Sequence, residues 1–219
     1  MKEAFIISGG NIEVDFALDF LKKHKKEGDW LVAADKGLEF FLKTGLTPDA
    51  AVGDFDSLSE EGRAFLEKLN RTEVIRLKPE KDDSDTQSAV NFCMDRGAEQ
   101  VTVLGGTGKR VDHLLANLGL LVLGKERGVR VNLVDSWNYM TLIESGNVLN
   151  RSEQFGRYVS FFSLGGDVPG LTLTGFKYPL TRHHLTAADS GLTVSNELTA
   201  SQARVTYDSG TLLMLMTRD

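Results

Sequence analysis

The sequence predicts an α/β N-terminal domain with a mainly parallel sheet, followed by a smaller all-β domain. Two observations carry this. Up to about residue 134, short apolar runs alternate with stretches whose apolar residues recur at helical spacing. From about Tyr139 onward, only short strand-like runs follow, separated by Gly, Asn and Asp clusters with no helical pattern between them. Alternation of the first kind produces a parallel sheet covered on both faces, and such sheets collect ligands at the carboxyl ends of their strands.

The elements follow in order. Phe5-Ile6-Ile7 reads as a buried strand, and Val14, Ala17, Leu18 and Leu21 mark one face of a helix. Trp30 to Ala34 is the next strand, and Leu38 to Leu42 a short helix that stops near Gly45. Ala50 to Val52 is a third strand, with a helix from Glu60 to Leu69 after it. Glu73 to Leu77 is a fourth strand. The following helix begins near Ser84, where Ser84 and Gln87 have capping-box spacing, and ends at Gly97. Val101 to Leu104, a leucine-rich helix from about Val111 to Leu123 whose leucines from Leu114 to Leu123 read as core, and Val129 to Val134 complete the first part.

The second part offers strands at Tyr139–Ile143, Tyr158–Phe162, Leu171–Thr174, Leu192–Val194, Ala203–Tyr207 and Leu212–Met216, a pattern that suits a sandwich or a barrel. The boundary falls between Asp135 and Gly146, giving domains of 1–138 and 139–219.

Composition narrows the class. With 219 residues, 41% hydrophobic and 26% charged, the chain has ordinary globular proportions. A net charge of −6 argues against a nucleic-acid platform, which needs clustered Lys and Arg. It leaves a nucleotide ligand open, because a bound cation can supply the local positive charge. The apolar run of MKEAFIISGG is too short for a signal peptide, and no stretch approaches the roughly 18 apolar residues of a membrane span. The single Cys93 excludes an internal disulfide, so the expected setting is cytoplasmic, without membrane or nucleic-acid partners.

Three segments carry chemistry, each directly after a strand. In Gly53-Asp54-Phe55-Asp56-Ser57, extended chain would point Asp54 and Asp56 into one space, where a hard divalent cation relieves their repulsion. The same residues also suit a plain turn. Lys81-Asp82-Asp83-Ser84-Asp85-Thr86 places three carboxylates at a helix start, more than a cap requires; they suit metal ligation or a general base. Gly105-Gly106-Thr107-Gly108-Lys109-Arg110-Val111-Asp112-His113 lets backbone amides and a guanidinium fork approach an anion, or serves as a flexible β-to-α turn. It has neither Walker A nor G-x-G-x-x-G spacing. Asp35 and Lys36 follow the second strand, where they face the same cleft or merely start a helix. No zinc-like ligand spacing and no G-x-S-x-G nucleophile elbow is present.

Taken in this order, ADKG (Ala34 to Gly37), PDAAVGDFDS (Pro48 to Ser57), KDDSDTQ (Lys81 to Gln87), GGTGKRVDHLLANL (Gly105 to Leu118) and GLTVSNEL (Gly191 to Leu198) resemble the thiamine pyrophosphokinase family. The five motifs span most of the chain. The resemblance implies an α/β domain that holds nucleotide and magnesium, and a C-terminal β-sandwich for thiamine binding and dimerisation. It implies transfer of the pyrophosphoryl group of ATP to the hydroxyl of thiamine, giving thiamine diphosphate and AMP, with Mg²⁺ as cofactor. It also implies a homodimer whose active sites lie at the subunit interface.

Matched position by position, Asp54, Asp56, Asp82 and Asp85 are the implied metal ligands. Asp54, Asp56 and Asp85 are the implied catalytic residues, with Asp85 accepting the thiamine hydroxyl proton. Asp35, Lys81, Asp82, Arg110 and Asp112 are implied at the ATP site, and Ser195 and Asn196 at the thiamine site from the partner chain. Some members place a tryptophan on the last strand; Leu212 to Met216 has no aromatic, and Met214 is the candidate sulfur contact in its place. Two other readings use the same residues: a magnesium-dependent phosphoryl or nucleotidyl transferase acting on another alcohol, and a non-catalytic nucleotide or thiamine sensor.

Overall fold

The computed structural model describes residues 2–78, 80, 82–189 and 191–219. The chain divides into two compact units, Met1–Ser136 and Trp137–Asp219.

The first unit is built on β1 (Glu3–Ile7), β2 (Trp30–Ala34), β3 (Ala50–Gly53), β4 (Glu73–Arg76), β5 (Gln100–Leu104) and β6 (Arg130–Val134). They lie in the order β4-β3-β2-β1-β5-β6, and every pairing is parallel. The helices between them are α1 (Val14–His24), α2 (Leu38–Thr44), α3 (Glu60–Lys68), α4 (Asp85–Asp95) and α5 (Val111–Glu126). Burial explains the apolar runs: Phe5, Ile6 and Ile7 are all inaccessible, as strands covered on both faces must be. The chain builds outward from β1 through β2 to β4, then returns to the other side of β1 with β5. The topological switch point therefore lies between the carboxyl ends of β1 and β5.

Helix starts are fixed locally. Ser59 Oγ accepts from the Gly62 N–H at 3.0 Å, and Ser84 Oγ from the Gln87 N–H at 3.1 Å, each cap contributing about 1 kcal/mol. Only half of the expected capping box forms at α4, because the Gln87 amide donates to Asp83 Oδ1 (2.6 Å) instead of turning back to Ser84. The leucine-rich α5 also departs from expectation. Leu120 and Leu121 are core, but Leu115 is 63% exposed, like Val111 ahead of the leucine run, since only one stripe of the helix can face β6.

The second unit contains no α-helix among its described residues, and its strands are antiparallel. One sheet orders β7 (Asn138–Ile143), β13 (Leu212–Thr217) and β9 (Tyr158–Ser163). The other orders β11 (Leu180–Leu185), β10 (Val168–Thr174), β12 (Gln202–Thr206) and β8 (Asn147–Asn150). Phe161 and Met214 of the first sheet share one apolar core with Leu171, Leu173 and Val205 of the second, the arrangement of a sandwich.

Two strands, β8 and β11, are not predicted by the apolar pattern. They are the edges of the second sheet. The Thr181-Arg182-His183-His184 run of β11 is largely exposed and lacks an alternating apolar face, a composition that edge strands tolerate. Conversely, Leu192–Val194 forms no strand. Thr193 donates its hydroxyl to the Phe161 carbonyl, and its own carbonyl accepts the Phe161 N–H at 3.0 Å. Left-handed Ser195 (φ 55°) interrupts the pairing, which resumes only as an isolated bridge between Asn196 and Val159 of β9.

Candidate active site

The carboxyl ends of β2 and β3 bring three aspartates together. Asp35, Asp54 and Asp56 each offer a carboxylate oxygen, and these oxygens lie within 4.8 Å of one another. Gly53 makes the approach possible, because a Cβ there would stand 2.9 Å from the Asp35 Cα. The loop from Gly53 to Ser57 is not extended as the spacing suggested. Phe55 adopts φ 61° and buries its ring, with the Arg76 guanidinium 5.6 Å from the ring centre. The turn folds Asp56 back until its N–H donates to Asp54 Oδ1 at 3.2 Å, and Arg63 of α3 donates to the Asp56 carbonyl at 2.9 Å.

Electrostatics mark the cluster as crowded. Asp56 titrates above the ordinary carboxylate value, first because of the Asp54 charge, with burial and an Asp54 hydrogen bond adding to it; Asp35 and Asp85 contribute further. Asp35 is itself left-handed at φ 45°, and its Oδ2 accepts from the Ser57 hydroxyl. Its Oδ1 is buried without a hydrogen-bond partner, a costly state for a carboxylate oxygen unless a cation meets it. Clustered hard oxygens of this kind suit magnesium, which takes one or two carboxylates and completes its shell with water and phosphate.

The other expected residues fall as follows. Asp85 opens α4, near enough for its charge to act on Asp56. Asp82 is exposed in the turn before α4 and stands outside the three-carboxylate group, as Asp85 does. Asp83 is engaged by Gln87 and Asn91. Lys81 lies outside the described residues. Among the described residues, no second group of His, Cys, Asp and Glu has metal-binding geometry. His184 pairs with Asp167 at 2.9 Å without a third ligand.

The glycine loop after β5 is held from below. Asn117 of α5 donates to the Gly106 carbonyl at 2.7 Å, and Thr107 donates its hydroxyl to Asp135. Arg110 and Asp112 form a two-pronged pair at 3.1 and 2.5 Å. The guanidinium holds the Asp112 carboxyl down to about 2, aided by the His113 N–H, and Asp112 in turn raises Arg110. Both side chains are exposed, so a phosphate can compete for the guanidinium fork.

In the second unit, Ser195 is exposed and Asn196 is not. Asn196 is 1% exposed, and its amide is engaged at both ends: Oδ1 accepts from the Tyr178 and Glu197 N–H groups at 3.0 and 2.9 Å, while Nδ2 donates to the Tyr178 carbonyl at 2.8 Å. The side chain expected to face thiamine thus clamps the backbone of the segment after β10. Met214, the candidate sulfur contact, is packed inside the sandwich core.

The Ser8 and Thr86 hydroxyls meet at 2.7 Å, a contact that local pattern cannot announce because 78 positions separate them.

Residues 21–133 match "Thiamin pyrophosphokinase, catalytic domain", and residues 147–212 match "Thiamin pyrophosphokinase, vitamin B1 binding domain". The chain is 33% identical over 221 residues to the thiamine pyrophosphokinase of Bacillus subtilis (strain 168), covering 100% of both. The crystal structure of thiamine pyrophosphokinase from Bacillus subtilis superposes with a TM-score of 0.88 at 32% identity, again over 100% of each chain. That of thiamin pyrophosphokinase from Geobacillus thermodenitrificans does so at 0.83 and 30% identity, over 99% of this chain and 98% of the other. With both of its units matched and relatives aligned over their full length, the chain belongs to the thiamin pyrophosphokinase family.

Proposed function

We propose that this protein is a thiamine diphosphokinase, transferring the pyrophosphoryl group of ATP to the hydroxyl of thiamine and releasing AMP. The observation that carries the reading is the Asp35–Asp54–Asp56 cluster with Asp85 beside it, in a chain matched along its length by thiamine pyrophosphokinases.

Asp35, Asp54 and Asp56 would hold magnesium, with Asp85 and Asp82 as further oxygen donors. When bound, that ion supplies charge neutralisation for the phosphates of ATP. Arg110 exchanges its Asp112 partner for a phosphate oxygen pair of the nucleotide, which its fork fits. Asp85 accepts a hydrogen bond from the thiamine hydroxyl and takes its proton as the oxygen bonds to the β-phosphorus. The bond from the β-phosphorus to the oxygen bridging it to the α-phosphorus breaks, and AMP leaves with that oxygen. Positioning and charge neutralisation suffice for such a reaction, so no covalent nucleophile is needed.

Residues 1–138 serve the nucleotide and magnesium, and 139–219 serve thiamine and dimerisation. Ser195 of a second copy contacts thiamine, and Asn196 shapes that site through the backbone it clamps. The exposed apolar residues of α5, Val111 and Leu115, support assembly of two copies. A cytoplasmic location is supported by the single, buried cysteine. Among the described residues no helix is long and apolar enough to cross a membrane.

Incubation with ATP, Mg²⁺ and thiamine tests the reading. AMP and thiamine diphosphate are the expected products; ADP with thiamine monophosphate, or no thiamine-dependent turnover, overturns it.

A further inference from the structure

Ser8 follows β1, the strand flanked by β2 and β5 at the switch point. Its N–H continues the ladder onto the Leu104 carbonyl at 2.8 Å, and the residue is 7% exposed. Gly105, at φ 76°, crosses close above it: a Cβ there would lie 2.6 Å from the Ser8 carbonyl oxygen. Ser8 is thus held on its backbone while its hydroxyl reaches Thr86 Oγ1 at 2.7 Å.

Thr86 is the second residue of α4 and directly follows Asp85. The apolar face of α4 (Ala89, Val90, Cys93 and Met94) seats the helix, and at its far end the C-cap Arg96 forms a two-pronged pair with Glu73 of β4, which leaves the placement of the first turn to contacts of its own. The hydrogen bonds of Ser84 and Asp83 run to Gln87 and Asn91 of the same segment, so they shape the helix start without fixing it on the sheet. The Ser8–Thr86 bond does reach the sheet, and any displacement of Thr86 carries Asp85 with it.

From this geometry we infer that Ser8 and Thr86 form a positioning pair that sets Asp85 against the Asp35–Asp54–Asp56 cluster for the transfer step. The inference rests on the function proposed above. Each hydroxyl acts through the placement of Asp85. A misplacement of about 1 Å at a reacting group can cost on the order of 10²-fold in rate, which sets the scale of the effect.

The test compares full-length Ser8→Ala, Thr86→Val, Thr86→Ser, Asp85→Asn and the Ser8→Ala/Asp85→Asn double variant. Turnover, KM for ATP, magnesium dependence and thermal melts are measured on each. Ser8→Ala and Thr86→Val should lower kcat by roughly 10- to 100-fold, with KM for ATP changed less than about threefold, the split expected when transition-state placement alone suffers. Thr86→Ser, which keeps the hydroxyl, should restore most of the rate. In the double variant Ser8→Ala should slow Asp85→Asn no further, since the residue it positions is already disabled. Unchanged kcat in Ser8→Ala, or a full additional loss in the double variant, overturns the positioning role. So does a lowered melting temperature with undiminished turnover per folded enzyme. Full activity in Asp85→Asn would instead remove Asp85 from the proposed reaction, a separate failure.

Discussion

Asp56 donates its N–H to Asp54 Oδ1 at 3.2 Å across Phe55, whose backbone is left-handed at φ 61°. Two carboxylates are therefore drawn together by a turn, and burial of the aromatic ring between them offsets the cost of closing it. Such a loop keeps unfavourable charge close at hand, which is useful where a cation is to be bound.

Asp54→Asn should therefore abolish the magnesium response of the protein while leaving it folded. Turnover is expected to fall roughly 10²-fold or more, the scale for removing a group that manages transition-state charge. The metal-free melting temperature should not fall. Wild-type turnover at ordinary magnesium would remove Asp54 from the site.

The same pair gives a pH signature. Asp56 titrates above its ordinary value because Asp54 is beside it. Its contribution to stability is therefore fully present below the ordinary carboxylate range and is lost as pH rises through the raised value. In metal-free protein, Asp54→Asn should melt above wild type by a margin that grows from about pH 3.5 to pH 6. Magnesium should narrow that margin. A margin independent of pH would show that the repulsion does not reach stability.

Asn196 and Ser195 should separate cleanly. Asn196→Ala loses three partly buried hydrogen bonds and should cost about 2–4 kcal/mol of stability, read in a denaturant melt. Ser195→Ala should change stability by less than about 0.5 kcal/mol and raise KM for thiamine instead. A destabilised Ser195→Ala protein with normal KM would reverse the assignment.

Burial pushes the Cys93 thiol up to about 12, so almost no thiolate exists at about pH 8. Native protein should resist thiol reagents and take up one equivalent only after denaturation. Rapid labelling of the native chain would mean that α4 opens.

Sedimentation should find a dimer, and Leu115→Glu should weaken its self-association at least about tenfold, because a charge would be buried where an exposed leucine now offers apolar contact. An undisturbed dimer would put the contact on another surface.

The alternation of strand and helix was legible in sequence because periodicity and caps are local: Ala50 to Val52, Leu38 and the Ser84 cap stand where their neighbours alone require. The loops that follow β3 and β5 were legible too, since aspartate and glycine favour turns. Local pattern could not reveal the edge strands β8 and β11, which are stabilised by partners distant in sequence and carry polar residues. Nor could it decide which of Ser195 and Asn196 is exposed and which is enclosed, because Asn196 is held by Tyr178, a residue 18 positions away. It named Asp54 and Asp56 but missed how they meet, and it left Asp35 at the margin of a cluster whose third member it is. Residue type and order determined the fold and the chemistry available. Only the tertiary structure decided which carboxylates share one space, because that depends on Gly53 admitting Asp35 and Phe55 turning the loop.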